Sequence, residues 1–294
     1  MLTLCTTGTR NETGATLYVD LPSHLRYLIG TMNDEHEQIK LWRIVQEESG
    51  VSRRKAQDLI ASGEVDVNGV TVRDPFTPVA RTSVSSLRLR GHPLSLEAPQ
   101  RRIYRYNKEA GVLCSHDDPH SGNTLGRILR GEGFIGYNWA GRLDQDAEGL
   151  VLITNDGRIV QRLTHPSFRV RKVYHVWLSR FPKAQEMRNI YAEMRRGIRD
   201  DHQLLRIINA QTTGRPPHAV ITIAEGRKHE IKRLFSHFGL QVVRLRRVSL
   251  GPISLGNLKP GAIVRLDKHD IAKLNEFVSR LAPTRSGEER SATL

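Results

Sequence analysis

Residues 141–157, GRLDQDAEGLVLITNDG, combine a short polar turn with an uninterrupted apolar segment. The turn carries Arg142 and the carboxylate of Asp144, and the apolar residues from Leu150 to Ile153 follow directly. Apolar runs of this length between polar turns are typical of buried strands, and functional groups are often held on loops anchored by such rigid elements. The stretch therefore predicts a core strand with a candidate functional carboxylate, Asp144, at its entrance. Taken alone, the same turn also fits an ordinary surface turn in which the carboxylate caps backbone groups.

Composition favours a polyanionic partner. The 294 residues allow about two domains, and the formal net charge of +14 would steer the chain to phosphates and release their counterions. No apolar run reaches ~18 residues, so no membrane span is predicted, and no basic amphipathic helix with bulky aromatic residues favours a membrane surface. The two cysteines, Cys5 and Cys114, cannot form a disulfide framework, which favours a reducing, cytoplasmic location. No oligomerisation signal is present, and we expect a monomer.

The ends of the chain differ from the rest. Residues 1–38 are net negative in a basic protein and lack a basic segment followed by an apolar core of about 7–15 residues, so a signal peptide is not expected. We predict a poorly ordered extension there, and Met32 remains open as an alternative translation start. Residues 283–294 are polar and are predicted to be a disordered tail.

Residues 39–98 have the pattern of a small α+β module. Apolar spacing predicts a helix that ends at Gly50, and Ser52 is placed to cap a second helix with the sequence RRKAQDLIAS. Asn68-Gly69 between alternating valines is a strong hairpin signal, and SLRLR alternates as a further strand.

This order of helix, SRR helix, strand, VNG turn and strand resembles the S-four-type (alpha-L) RNA-binding domain. The resemblance implies that the SRR helix and the hairpin face RNA. It places the predicted RNA contacts on Ser52, Arg53, Arg54, Lys55 and Asn68. A basic run by itself would indicate only a solvated helix face, so the prediction rests on the whole module.

A linker containing Pro99 separates this module from residues 101–282, which alternate predicted strands and helices and indicate a second, catalytic domain. The predicted strands cover residues 103–106, 150–153, 174–178, 204–208 and 219–223. The predicted helices cover residues 124–129, 158–163, 182–196 and 267–281, and a further helix lies within 225–239. The expected class is α+β.

Three segments resemble, in order, the motifs of the RsuA/RluB-type ribosomal RNA pseudouridine synthases. They are YNKEAGVLCS at 106–115, GRLD followed by GL at 141–150, and EGRKHEIKRLF at 225–235. The resemblance covers about residues 39–281 and implies a mixed, mainly antiparallel sheet flanked by helices. The HPS segment at 165–167 favours the RluB, large-subunit type. Two residues depart from the family pattern: Glu109 replaces a proline and Glu230 replaces a glutamine.

The family pattern implies roles for particular residues. Asp144 would be the catalytic carboxylate, Tyr174 would stack on the target base, and Lys232 would pair with Asp144. A core tyrosine is the alternative for Tyr174, and Lys108 of the first motif is expected to support packing or the backbone rather than chemistry. Further RNA contacts are predicted at Arg142, Arg227, Lys228 and Arg233.

The activity implied is isomerisation of uridine to pseudouridine in ribosomal RNA, without metal or cofactor. The expected partner is 23S rRNA or a large-subunit assembly intermediate, although the small subunit remains open. The target base would leave its stack during the reaction. Asp144 could act as a nucleophile or as a base on the 2′ proton of the sugar, and the sequence does not distinguish these routes.

Two other classes of function remain open. The departures at Glu109 and Glu230 are compatible with a catalytically inactive RNA-binding protein that acts in ribosome assembly. HDDPHSGNT, with His116 and His120, could instead indicate a metal-dependent RNA enzyme, but proline and glycine break any helix that would align its ligands. No nucleotide-binding glycine loop occurs in the sequence.

Overall fold

The computed structural model describes residues 38–94, 100–201 and 203–282. Residues 1–37 of the predicted extension and the predicted tail at 283–294 lie outside these ranges. So do residues 95–99, which cover the end of the predicted module and the start of the predicted linker.

Residues 38–94 form two helices beside a small antiparallel sheet. The helices are α1 (Leu41–Ser49) and α2 (Arg53–Ala61). The strands are β1 (Ile39–Lys40), β2 (Val65–Val67), β3 (Val70–Thr71), β4 (Pro78–Val79), β5 (Leu87–Leu89) and β6 (His92–Pro93). Four of them pair in the order β3-β2-β5-β6, and β1 pairs with β4. Both helices bury their apolar faces against this sheet, as their spacing predicted.

Local chemistry explains where these elements begin and end. α1 ends at Gly50, which has the left-handed φ of 70° that glycine adopts without steric cost. Ser52 caps α2, because its Oγ accepts a hydrogen bond from the amide of Lys55 at 3.2 Å. The β2–β3 turn has positive φ at both Asn68 (52°) and Gly69 (81°), as a tight hairpin turn requires. The predicted helix ends and hairpin are confirmed.

Residues 100–282 form a larger α+β unit. Its strands are β7 (Ile103–Lys108), β8 (Asn138–Ala140), β9 (Glu148–Thr154), β10 (Lys172–Leu178), β11 (Ile198–Asp200), β12 (Gln203–Leu205), β13 (Asn209–Thr213), β14 (His218–Ile223), β15 (Val242–Leu250), β16 (Ile253–Ser254) and β17 (Ile263–Arg265). Its helices are α3 (Leu125–Gly131), α4 (Gly157–Thr164), α5 (Ala184–Arg196), α6 (Glu230–Ser236) and α7 (Lys268–Arg280).

The main sheet has the order β13-β14-β10-β15-β9-β7-β17, with β16 beside β15 and β8 beside β9. Among the described strands, β9 and β15 pair in parallel and the other pairs are antiparallel. The parallel contact is short, matching Glu148 with Arg246 and Gly149 with Arg247. It joins the two halves of the sheet directly after the Asp144 turn. The predicted α+β class and mainly antiparallel sheet are confirmed.

Helices cover the sheet on opposite faces. Val151 and Ile153 of β9 point into a core closed by α3, α5 and α6. Leu150 and Leu152 point to the other side, where α4 and α7 pack. Because β9 is buried on both faces, it reads in the sequence as a continuous apolar run.

One element prediction was wrong in detail. The strand predicted over residues 204–208 ends at Leu205, and the chain then leaves the β11–β12 hairpin, because the amide of Ile207 bonds to the carbonyl of Met194 on α5. The helix predicted within residues 225–239 is confirmed as α6, which begins at Glu230 after His229 with a left-handed φ of 53°. Arg227 and Lys228 therefore lie on a loop.

Among the described helices, none combines the length and the apolar character that crossing a bilayer requires.

Candidate active site

A cleft of about 720 Å³ lies beside the junction of β9 and β15. Its walls come from the turn before β9, from α4, β10 and β15, and from the loop between β14 and α6. The polar and charged side chains in its lining include Arg142, Asp144, Lys172, Tyr174, Arg227, Lys228, His229, Glu230 and Arg247. The structure thus brings together Asp144 and Tyr174, which are 30 residues apart in the sequence.

Asp144 is held on a tight turn with its carboxylate at the cleft. Leu143 anchors the turn in the core, and the Asp144 carbonyl accepts the amide of Ala147 at 3.1 Å. The side chain retains 30% exposure, and its Oδ1 lies 3.6 Å from Nε2 of His229. The carboxylate is thus both fixed by its backbone and open to a substrate.

Lys108 supports this turn through hydrogen bonds to its backbone carbonyls. The side chain is fully buried, and its Nζ donates to the carbonyls of Glu109 (2.9 Å), Gln145 (3.2 Å) and Ala147 (2.7 Å). Burial lowers the pKa of the ammonium. These bonds agree with the prediction that Lys108 supports the backbone.

Tyr174 and Arg247 stand next to each other on the inner face of β10 and β15, where they are paired in register. Both are buried, at 6% and 1% exposure. Burial raises the pKa of the Tyr174 hydroxyl, and the neighbouring Arg247 guanidinium opposes that rise. Tyr174 therefore packs against the core and also lines the cleft. Its position is compatible with stacking on a target base and with the alternative of a core tyrosine.

Lys172 and Glu230 add two further buried charged groups. Nζ of Lys172 donates to the carbonyls of Val170 (3.2 Å) and Glu225 (3.1 Å), and burial lowers its pKa to about 8. Burial raises the pKa of the Glu230 carboxyl, which accepts the amide of Arg227 at 3.1 Å. The acidic departure at position 230 thus serves to hold the loop before α6.

Lys232 does not form the expected pair with Asp144. Its Nζ donates instead to both carboxylate oxygens of Asp146 at 2.6 Å. The physical reason lies in the turn, since Asp144 lines the cleft and Asp146 is 70% exposed on the side that α6 reaches.

The predicted RNA contacts around the cleft divide into two groups. Arg142, Arg227 and Lys228 line it. Arg233 reaches away from it, since its Nε donates to Asp200 at 2.6 Å and its Nη2 to the Asp200 carbonyl at 3.0 Å. That arginine fastens α6 to the β11–β12 hairpin.

The predicted RNA contacts in the N-terminal module comprise exposed basic side chains and polar side chains that are used in local hydrogen bonds. Arg53, Arg54 and Lys55 are exposed on α2, and the Arg53 guanidinium lies 4.5 Å from the centre of the Trp42 ring. The hydroxyl of Ser52 is used as the helix cap. Oδ1 of Asn68 accepts the amides of Ser85 (2.7 Å) and Ser86 (3.1 Å), so that side chain holds the hairpin to the following segment.

The His116–Thr124 segment is held by contacts with neighbouring side chains of the same domain. The His116 ring lies 4.5 Å from Trp139, and Asp117 accepts from Arg130 at 2.6 Å. Within residues 38–94, 100–201 and 203–282, no group of three or more His, Cys, Asp or Glu side chains could hold a metal ion.

Lys172 and Arg247 were not identified from the sequence. A usable signal exists, because strand alternation puts Lys172 on the same face as Tyr174, and Arg247 on the same face as Leu245. A charged residue at an inward position of a core strand is uncommon and indicates a functional or structural site.

Comparison with known proteins gives consistent results. The RNA pseudouridylate synthase family matches residues 102–237. The ribosomal small subunit pseudouridine synthase A of Vibrio cholerae is 33% identical over 229 residues, covering 76% of this chain and 94% of the relative. An RNA pseudouridine synthase of Aquifex aeolicus is 31% identical over 246 residues, covering 82% and 95%. A crystal structure of a pseudouridylate synthase, 28% identical, superposes with a TM-score of 0.54 over 80% of this chain and 99% of that chain. The chain therefore belongs to the RNA pseudouridine synthase family, whose enzymes isomerise uridine to pseudouridine in RNA.

Proposed function

We propose that the protein isomerises uridine in ribosomal RNA and that Asp144 is the catalytic carboxylate. The observation that carries this proposal is the position of Asp144, on a rigid turn facing a cleft with the buried Tyr174 ring in its lining. A target base in folded RNA must leave its stack, and an aromatic side chain in a pocket can receive it. Tyr174 would stack on the extruded uracil.

The reaction requires the N1–C1′ bond to break and a C5–C1′ bond to form. The base departs with the electron pair, rotates and rejoins through C5, which loses its proton while N1 gains one. No oxidation or reduction occurs. Asp144 would either attack as a nucleophile or remove the 2′ proton as a base. Lys172 and Arg247 are two basic side chains in the same lining.

We propose that residues 38–94 are an S-four-type RNA-binding domain that positions the substrate. Arg53, Arg54 and Lys55 support this role, because they are exposed together on one helix and can contact phosphates. Ser52 and Asn68 contribute indirectly, through the helix cap and the hairpin turn. We also propose that the protein acts as a cytoplasmic monomer.

Two ribosomal substrates are supported by different observations. The HPS segment at 165–167 favours 23S rRNA or a large-subunit assembly intermediate. The Vibrio cholerae relative is named as a small-subunit enzyme, which favours the small-subunit RNA. We propose the large subunit as the first substrate to test.

Tritium release from rRNA labelled at uridine C5 tests the activity directly. The wild type and Asp144→Asn are compared on naked large- and small-subunit rRNA and on assembly intermediates. We expect release by the wild type alone, with unchanged RNA affinity in the variant. Release by Asp144→Asn at the wild-type rate would overturn the assignment of Asp144. No release by the wild type on any of these RNAs would favour the inactive RNA-binding alternative.

A further inference from the structure

Arg247 on β15 contacts the backbone on both sides of the turn that carries Asp144. Its Nε donates to the carbonyl of Leu150 at 2.7 Å, and its Nη1 contacts the carbonyl of Arg142 at 3.4 Å. A Cβ on Gly141 would come within 3.3 Å of Nη1, so the guanidinium lies closely against the turn. The side chain therefore spans both ends of the segment that carries Asp144.

The guanidinium of Arg247 interacts with the Tyr174 hydroxyl, but one of its buried nitrogens lacks an acceptor. Arg247 is 1% exposed and makes no ion pair with any described carboxylate. Its buried Nη2 has no hydrogen-bond acceptor within the described part of the chain. Burying an unpaired charge is costly, and unsatisfied buried donors are rare enough to require an explanation. Because Arg247 lines the cleft, a bound substrate could supply the missing acceptor.

We propose that Nη2 of Arg247 binds a carbonyl oxygen of the target uracil and stabilises the negative charge on the base as the glycosidic bond breaks. This proposal rests on the proposed function. When N1–C1′ cleaves, the electron pair passes to N1 and is delocalised onto O2 and O4. A fixed cation next to one of these oxygens binds the departing base more strongly than the neutral nucleotide, which is the condition for accelerating the reaction.

A base oxygen fits this site better than a phosphate. Arg247 is paired in register with Tyr174, on which the base is proposed to stack. One nitrogen, Nη2, is left for the ligand, because Nε and Nη1 already contact backbone carbonyls. A phosphate is typically bound by parallel N–H groups on two nitrogens of an arginine, whereas a carbonyl oxygen needs only one nitrogen.

Single-turnover kinetics of Arg247→Lys and Arg247→Gln test the proposal, with Arg246→Lys as the matched control. Arg246 is the preceding residue on β15 and contacts Glu148 on the opposite face of the sheet. Each protein receives the same rRNA fragment with uridine or 5-fluorouridine at the target position. Fluorine withdraws electrons and makes the base a better leaving group. Cleavage of the N1–C1′ bond is measured in nuclease digests, and RNA affinity is measured separately.

For Arg247→Gln we expect a rate on uridine lower by about 100-fold, as for removal of one oxyanion donor, with RNA affinity changed by less than about threefold. We expect the loss to be at least about fivefold smaller on 5-fluorouridine, because a better leaving group needs less stabilisation. The rate of Arg247→Lys should lie between those of the wild type and Arg247→Gln, and the rate of the Arg246→Lys control should match that of the wild type. Equal losses on both substrates would mean that Arg247 acts only through the turn and would overturn the proposal.

A second measurement does not depend on the folding of any variant. The wild type is given 2-thiouridine or 4-thiouridine, in which sulfur replaces one carbonyl oxygen and accepts hydrogen bonds weakly. We expect one of the two substitutions to slow the wild type at least about tenfold. Unchanged rates with both would overturn the proposal, while a wild type inactive on uridine itself would instead refute the proposed function.

Discussion

The ammonium of Lys232 lies 2.6 Å from both carboxylate oxygens of Asp146, two residues beyond Asp144. The pair connects α6 to the turn that carries Asp144. Lys232 lowers the pKa of the Asp146 carboxyl through their hydrogen bond. The family pattern pairs Lys232 with Asp144, but in the structure Lys232 binds Asp146. Substitutions at Lys232 and Asp146 can test which carboxylate the lysine serves.

We expect Lys232→Met to reduce the isomerisation rate at least about tenfold, and Asp146→Asn to reduce it much less. The reasoning is that Asp146→Asn removes the present partner of Lys232 and leaves the cation free for the contact with Asp144 that the family pattern implies, whereas Lys232→Met removes the cation. Asp146 is 70% exposed, so loss of the ion pair should change the free energy of unfolding by less than about 1 kcal/mol. Single-turnover rates and urea unfolding give the two quantities. Equal rate losses in both variants would show that Lys232 acts only through Asp146.

Substitutions at Tyr174 separate base stacking from the hydroxyl group. Tyr174→Phe keeps the ring, and we expect its rate to stay within about tenfold of the wild type. Tyr174→Leu fills the core with an apolar side chain but removes the ring, and we expect a loss of about 10- to 100-fold, since base–aromatic stacking contributes about 1–3 kcal/mol. Melting temperatures control for packing. Comparable activity of the two variants would argue for a core tyrosine without a stacking role.

The exposed basic residues of α2 should contribute to RNA affinity but not to folding. We expect Arg53→Glu/Arg54→Glu to weaken RNA binding and to reduce the slope of log affinity against log salt by about 2. The free energy of unfolding should change by no more than about 1 kcal/mol, because both side chains are exposed and the contact of Arg53 with the Trp42 ring contributes about 0.5–1 kcal/mol. The control is Lys183→Glu/Arg188→Glu, which makes the same charge change at two other exposed positions. Lys183 precedes α5 and Arg188 lies within it. Equal effects of the two double variants would indicate a general charge effect and not a binding surface.

Lys172 should make the stability rise with pH. Burial lowers the pKa of its ammonium in the folded protein to about 8, against an ordinary value of 10.5. Between these values the unfolded chain binds more protons, so the free energy of unfolding increases with pH. Below pH 8 the charged Lys172 lowers the free energy of unfolding by its full amount, about 3 kcal/mol. This loss disappears as the pH rises towards 10.5.

Urea unfolding of the wild type and Lys172→Met from pH 7.5 to 10.5 isolates this contribution. Tyr106, whose pKa burial raises to about 12, titrates above the window and is common to both proteins. We expect the wild type to gain stability relative to the variant across the range. Parallel pH profiles would contradict the lowered pKa of Lys172.

The sequence by itself determined much of the local structure. Ser52 caps its helix and Asn68-Gly69 forms its hairpin turn, because backbone hydrogen bonds and positive φ angles depend on a few adjacent residues. The apolar run from Leu150 to Ile153 predicted a buried strand next to Asp144, and both are found together.

The tertiary structure alone decided which charged groups surround Asp144. Arg247 follows Asp144 by more than 100 residues and reaches its turn through the parallel contact of β9 and β15. Lys232 reaches Asp146 and not Asp144, because the turn directs one carboxylate into the cleft and the other towards α6. Such contacts depend on strand order and side-chain direction, which are set by packing of the whole sheet and not by neighbouring residues.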